Sequence, residues 1–418
     1  MATIEVSAEE RFKNAEYTTN PSLRKDMLDK IPSSFFQSIN TVFEPCVGKG
    51  GFVLDIIERF MKGLEPSISN KKKRYKTIVE KCLYFADINE NNVAICKELI
   101  DPTNIYKLNY HIGDTLVLDI KNEWGVDGFD LVVGNPPFNL PFVRAIGHTL
   151  WQFFTKKALN EFIKPKGYLL FVHPCGWRKP NTPRSPMCGM FELMVHTNQL
   201  IYLSIHSTKD GKESFNCNVR HDWYLIQKIK QHTTTHINDI HGNDCTIDLS
   251  DLSMLPNSDY ETFKKIVATD TEEKCPLLYS AVFTTPKLSK NLNDFKTDEF
   301  KYQVIHTLPL KGIRSFYSNR NDNGMFGIPK VIFGDNGLND AVIDMEGVIG
   351  TTSHSMAIEV GSLEEAENIK KCLLSTKFKL FINNSCLFGN FRFEYTLYKL
   401  FKRDFWKEFI LYPSNIIF

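Results

Sequence analysis

A chain of 418 residues exceeds one ordinary domain, so two hydrophobic cores are expected. Lys and Arg (50) nearly balance Asp and Glu (49), and the formal charge of +1 excludes a globally basic nucleic-acid binder, confining any such contact to local patches. No eighteen-residue apolar run and no apolar core near Met1 are present, so neither a membrane helix nor a secretory signal is expected, and ten cysteines without a CxxC pair fit a reduced, cytoplasmic protein with no metal site.

A polar arm leads into Glu16–Pro32, where Thr19 or Asn20 caps a helix with Leu23, Met27, Leu28 and Ile31 on one apolar face. Thr41–Phe52 (Thr-Val-Phe-Glu-Pro-Cys-Val-Gly-Lys-Gly-Gly-Phe) reads as a strand and a glycine turn, followed by the amphipathic helix Val53–Met61. Glycines let a ligand approach the backbone, and a helix N-terminus presents N–H groups to it. Neither a P-loop nor GxGxxG fits, because Lys49 is followed by glycine and the spacing after Gly50 fails. Ser67–Lys76 is polar and basic and reads as a solvated loop. Cys82–Asn89 is a second apolar strand ending in Asp87, an acid placed to accept ribose hydroxyls, with a helix starting near Glu90. A third strand ends at Gly113-Asp114-Thr115.

Leu131, Val132 and Val133 suit a strand covered on both faces, which Asn135-Pro136-Pro137-Phe138 ends abruptly. Two prolines cannot continue a ladder, so a rigid turn stands at a strand's carboxyl end, where open α/β sheets bind ligands. The Asn135 side-chain oxygen and the Pro136 carbonyl can accept both hydrogens of a planar exocyclic amine, and Phe138 offers a flat face to a heterocycle. Glycine turn, Asp87, Asp114 and this loop, each after an apolar strand and in this order, resemble the S-adenosylmethionine-dependent N6-adenine DNA methyltransferase family.

The resemblance implies an α/β fold of the class I SAM-methyltransferase type, Rossmann-like, with a seven-stranded, mostly parallel sheet. It implies S-adenosyl-L-methionine as cofactor and site-specific methyl transfer to N6 of an adenine flipped out of duplex DNA. On the family's pattern Thr19 contacts the methionine end, although Asn20 stands where a proline is usual. Glu44 faces the ammonium; Cys46, Gly48, Gly50 and Phe52 line the methionine and ribose; Asp87 holds the ribose; Ile88 lies against the adenine, and Asp114 with Thr115 reaches its amine. Asn135, Pro136, Pro137 and Phe138 are the catalytic loop, with Asn135 also bordering the cofactor. Related loops also methylate cytosine N4, RNA adenine or a protein glutamine, and a non-catalytic DNA-binding module of the same fold is a rival of another class.

Further on, Arg144–Phe162 reads as a long helix and Gly167–His173 as a buried strand, with His173 a sheet-end hydrogen bonder. The basic, Pro-stiffened loop Pro174–Arg184 carries Trp177, Arg178, Lys179 and Arg184, which suit a clamp on a DNA strand or an ordinary loop with a packed tryptophan. Leu200–His206 and Val219–Ile229 close the sheet with an antiparallel hairpin. The expected catalytic domain spans 1–240, followed by an irregular connector at 241–290. From 291 to 418, the short strands Tyr302–His306, Lys330–Phe333, Ala341–Asp344 and Met356–Val360 and the helix Glu364–Ser375 suggest an α+β target-recognition domain. Within it Lys311, Arg314 and Arg320 alternate with Phe316, Tyr317 and Phe326, and Asn319 adds a base-reading amide. Too few residues precede the glycine turn for a fused nuclease. The expectation is a monomeric, stand-alone enzyme on double-stranded DNA, with any restriction endonuclease on a separate polypeptide.

Overall fold

Runs of consecutive apolar residues build the first sheet. Strands β1 (Val42–Glu44), β2 (Leu83–Asp87), β3 (Asn109–Ile112) and β4 (Phe129–Gly134) are parallel, and β1, β2 and nearly all of β4 are buried, as strands covered by helices on both faces must be. Phe43, at the sheet centre, packs on Phe129, Phe162 and Trp124 with ring centroids 4.8, 5.3 and 5.4 Å away. The computed structural model describes residues 17–140, 148–230, 233–389 and 393–410, and the chain divides into two units, Met1–Met254 and Leu255–Phe418.

Strand β5 (Ile163–Pro174) extends the parallel set. Strand β7 (His221–Gln227) then runs antiparallel between β5 and β6 (Gln199–His206). The expected seven strands are present and form a class I methyltransferase core. Two more, β8 (Thr235–Asn238) and β9 (Asp244–Ile247), extend its edge to give the order β3-β2-β1-β4-β5-β7-β6-β8-β9. Residues 241–254 therefore belong to the first unit rather than to a connector.

Helix α1 (Pro21–Leu28) is capped by Asn20, whose side chain accepts from the Leu23 N–H at 2.8 Å. Helix α2 (Gly51–Gly63) buries Phe52, Val53, Ile56, Ile57 and Phe60. The basic stretch read as a loop is instead largely helix α3 (Lys71–Thr77): Asn70 caps it, and Arg74 is buried, donating to the Ile68 carbonyl and pairing with Glu65. Helices α4 (Glu90–Ile100) and α5 (Ile120–Trp124) follow. The long helix expected at 144–162 is, in its described part, α6 (Trp151–Lys157) widening into a π turn at Ala158–Phe162; residues 144–147 lie outside the described residues. Helix α7 (Thr208–Phe215) opens with a reciprocal cap between Ser207 and Asp210.

The second unit starts with helix α8 (Tyr260–Ile266) and strand β10 (Leu277–Leu278), both inside the stretch expected to be irregular. Then come β11 (Leu292–Asn293), β12 (Tyr302–Thr307), β13 (Arg314–Ser318), β14 (Lys330–Gly334), β15 (Ala341–Asp344), β16 (Gly350–Thr351) and β17 (Ser355–Glu359). They form two four-stranded sheets, β10-β17-β14-β15 and β11-β13-β12-β16. Phe283, Leu292, Val304 and Phe316 make one core cluster, and Ile305, Leu308, Ile332 and Ala357 another. Helices α9 (Leu363–Leu374) and α10 (Thr376–Ser385) follow the last strand. No helix among the described residues is long and apolar enough to cross a membrane.

Candidate active site

The order β2-β1-β4 sets three strand ends side by side, and with them Asp87, Glu44 and Asn135. Strand order reverses between β1 and β4, the position at which doubly wound sheets bind ligands. A cavity of about 350 Å³ opens there, within the size range of cofactor sites. Of the residues singled out from the sequence, Thr19, Glu44, Cys46, Gly48, Phe52, Asp87, Ile88, Asp114, Thr115, Asn135 and Pro137 line it.

Gly50 does not line it. It takes a left-handed φ of +79° to start α2, and a Cβ there would come within 3.0 Å of Cys96 Sγ on α4. Gly51 forms the cavity wall in its place. Pro136 and Phe138 also stand outside the wall. Gly48, with φ +50°, turns its N–H onto Asp87 Oδ2 at 2.9 Å, while the Asn89 N–H donates to Oδ1 at 2.9 Å. Burial raises the Asp87 pKa against these donors. Thr115 spends its hydroxyl on the Pro45 carbonyl at 2.8 Å and so braces the loop, whereas Asp114 is exposed and accepts from the Leu116 N–H.

Glu44 is 3% exposed, and its Oε2 has no hydrogen-bond partner among the described residues. Burial holds its carboxyl well above the usual carboxylate range, opposed only in part by the nearby Arg24 charge. On the neighbouring strand end, Asn135 Nδ2 donates to the Tyr17 carbonyl at 3.1 Å, which fixes the amide and leaves Oδ1 buried and unpartnered among the described residues. Phe138 lies beside it, stacked on Tyr17 at 6.1 Å and edge-on to Phe215 at 5.6 Å. Tyr17 and Phe215 were missed in the sequence. The Ser207-x-x-Asp210 capping signature could have located α7 and hence Phe215, but Tyr17 carried no signal beyond its nearness to Thr19.

His173 is buried against Trp151, accepts from the Tyr224 hydroxyl at 2.8 Å, and has its pKa pushed down to about 3 by burial, so it is a neutral sheet-end residue. Of the clamp loop, Trp177 and Arg178 are corrected. Trp177 is buried against Phe191 and Tyr224, and Arg178 is buried in an ion pair with Asp222, so neither side chain faces outward. Lys179 is half-buried and Arg184 exposed. In the second unit Lys311 and Arg314 stand exposed where β12 turns into β13. Arg320 pairs with Asp322 at 2.7 Å, Tyr317 and Asn319 are half-buried, and Phe316 belongs to the core with Phe326 packed against it.

The unpartnered Glu44 oxygen, the engaged but unsaturated Asp87 carboxylate and the glycine turn fit S-adenosyl-L-methionine, whose ammonium, ribose hydroxyls and sulfonium-bearing methionine chain suit these groups. Residues 4–161 match the N-6 DNA Methylase family. The chain is similar to a nuclease-deletion mutant of the Type ISP restriction-modification enzyme LlaGI in complex with a DNA substrate mimic, at 11% identity and TM-score 0.56, over 87% of this chain and 51% of that one. It is similar to the Type IIL restriction-modification enzyme MmeI in complex with DNA at 10% identity and TM-score 0.53, over 94% and 69%. A modification subunit of a putative type I restriction enzyme from Vibrio vulnificus YJ016 aligns at 12% identity and TM-score 0.41, over 54% and 47%. The chain thus spans about half the length of that subunit and of the LlaGI chain. No curated protein matches it. The match over residues 4–161 takes in the glycine turn, both acids and the Asn-Pro-Pro-Phe loop, and members of the N-6 DNA Methylase family use S-adenosyl-L-methionine as methyl donor.

Proposed function

We propose that this chain is a site-specific DNA methyltransferase that methylates N6 of an adenine extruded from duplex DNA. The observation that carries the reading is the Asn135 amide, fixed by the Tyr17 carbonyl so that Oδ1 is buried and unpartnered among the described residues on the wall of the cavity. S-adenosyl-L-methionine, when bound, supplies an electrophilic methyl group. Asn135 Oδ1 and the Pro136 carbonyl accept the two hydrogens of the target amine, which localises its lone pair on nitrogen. Phe138 stacks on the base once Tyr17 yields its face, and Phe215 closes the edge. Positioning and fixed dipoles then do the catalytic work. Extruding the base costs a few kcal/mol of stacking and pairing, offset by these contacts.

The second unit acts in this reading as the target-recognition domain. From Lys301 to Asn321 the sequence holds four cations and no acid, which suits phosphate contact by Lys311 and Arg314 at the exposed turn. The test incubates the full chain with methyl-labelled S-adenosylmethionine and unmethylated genomic DNA, then separates the nucleosides. Label in N6-methyladenosine is expected, with Asn135→Ala abolishing it while cofactor affinity stays within about threefold. Label in a cytosine product, in RNA or in protein would overturn the proposed acceptor.

A further inference from the structure

Arg24 is a buried cation in a place that favours an anion. Its guanidinium lies flat on Gly51, the first residue of the thirteen-residue helix α2, so closely that a Cβ there would come within 2.8 Å of Cζ. The N-terminus of a helix carries the positive end of its dipole, and a guanidinium beside it is repelled. Two bonds hold it there: Nε donates to Asp55 Oδ2 at 2.7 Å and Nη1 to the Thr19 carbonyl at 2.6 Å. Asp55 offsets the charge but is one-third exposed, so its share is weakened by solvent. Glu44 stands near enough to feel the Arg24 charge, yet its Oε2 remains unpartnered among the described residues. Arg24, Glu44, Thr19 and Gly51 line one end of the same cavity.

That end therefore presents a guanidinium and a helix N-terminus that want an anion, beside a buried carboxyl that wants a cation. A zwitterionic α-amino acid supplies both. We propose that Arg24, with the N-terminus of α2, receives the α-carboxylate of the cofactor's methionine moiety, making Arg24 the residue that selects a carboxylate-bearing cofactor. This rests on the reading of the cavity as the S-adenosylmethionine site. Arg24 also ties the chain at Thr19 to α2, so its loss has two separable consequences, a missing ligand contact and a loosened segment.

Calorimetric binding of S-adenosylmethionine and of decarboxylated S-adenosylmethionine to the full chain separates the two. The wild type prefers the carboxylate-bearing ligand by about tenfold or more, the size of a charge-assisted hydrogen bond. Arg24→Met weakens S-adenosylmethionine by a similar factor, about tenfold, and leaves the decarboxylated ligand within about threefold, erasing the preference. Gly51→Ala is the second variant, because its methyl displaces only the tip of a flexible side chain and keeps the charge. It shifts the preference in the same direction even if Arg24→Met fails to fold. Equal weakening of both ligands by Arg24→Met or Gly51→Ala would reduce Arg24 to a latch and overturn the proposal, as would a wild type that does not discriminate. A wild type that binds neither ligand overturns the reading of the cavity itself.

Discussion

Arg178 and Asp222 offer the sharpest contrast between a contact surface and a core. Their side chains are 1% and 0% exposed and meet through two parallel bonds, Nε to Oδ2 at 2.7 Å and Nη2 to Oδ1 at 3.1 Å. Removing one partner strands the other charge in the interior, at a cost of about 3–5 kcal/mol. For a unit of this size each kcal/mol moves the melting temperature by roughly 2–4 °C, so a loss of about 6–20 °C is expected. The two halves are unequal. A stranded Asp222 can take up a proton, and burial already raises its pKa, whereas a stranded guanidinium cannot lose one. Asp222→Leu is therefore the more damaging at neutral pH, and the loss in Arg178→Met eases as pH falls and Asp222 protonates. The double variant recovers most of the stability, since apolar replacement removes both desolvation costs. Thermal melts followed by tryptophan fluorescence report on the right unit, because Trp124, Trp151, Trp177 and Trp223 lie in the first and only Trp406 in the second. An Arg178→Met protein that melts like the wild type and loses only DNA affinity would refute the assignment of this pair to the core.

If Glu44 receives the cofactor's ammonium, as proposed, cofactor binding should depend on pH. Its raised pKa keeps a proton on the empty site above the ordinary carboxylate range, and an incoming ammonium expels it, so affinity rises with pH through that window and levels off above it. Calorimetry in buffers of different ionisation enthalpy should detect the released proton, and Glu44→Gln should abolish that release. In the unliganded protein the native state binds the extra proton, so Glu44's part of the stability falls as pH rises through the same window, and Glu44→Gln removes the fall in chemical denaturation series. Lys311→Ala with Arg314→Ala should weaken duplex DNA binding across all sequences and flatten the slope of log affinity against log salt by about 1.8, two phosphates' worth. An unchanged slope would take these two residues off the DNA.

How legible the chain was depended on whether a signal was local. Each apolar run stops at the residue that the topology then delivers to the cavity: β1 at Glu44, β2 at Asp87, β4 just before Asn135. Burial on both faces needs only a run of apolar residues, so those strand ends could be read directly. The direction of a side chain could not. The alternation of Phe316 and Tyr317 looked like aromatic residues interleaved with cations for DNA, but it is the period of strand β13: Phe316 turns to the core beside Val304 and Leu292, and Tyr317 to the other face. Arg178 looked like a phosphate contact because its partner, Asp222, is 44 residues away on strand β7. Gly50 and Gly51 could not be told apart by spacing, because only the handedness of the turn decides which one meets the cavity.

An unpaired buried acceptor costs about 1–3 kcal/mol, and among the described residues a carboxyl oxygen and an amide oxygen, Glu44 Oε2 and Asn135 Oδ1, stand so on the wall of one cavity, with Thr18 Oγ1 beside them. A core would have selected against both. One segment of eight residues runs past both: Arg24, whose charge reaches Glu44, grips the Thr19 carbonyl and Asp55, two residues before Thr19 the Tyr17 carbonyl fixes the Asn135 amide, and the Tyr17 ring covers Phe138. The segment from Tyr17 to Arg24 thus reaches both oxygens, and a carbonyl of it, that of Tyr17, orients the Asn135 amide. Side-chain replacement of Tyr17 should leave the carbonyl bond to Asn135 in place and uncover Phe138, whereas loosening Arg24 should free Thr19, two residues from that carbonyl. The anchoring of Arg24 and the aim of the Asn135 amide are in this way a single mechanical arrangement, set by one capped helix and the four residues before it.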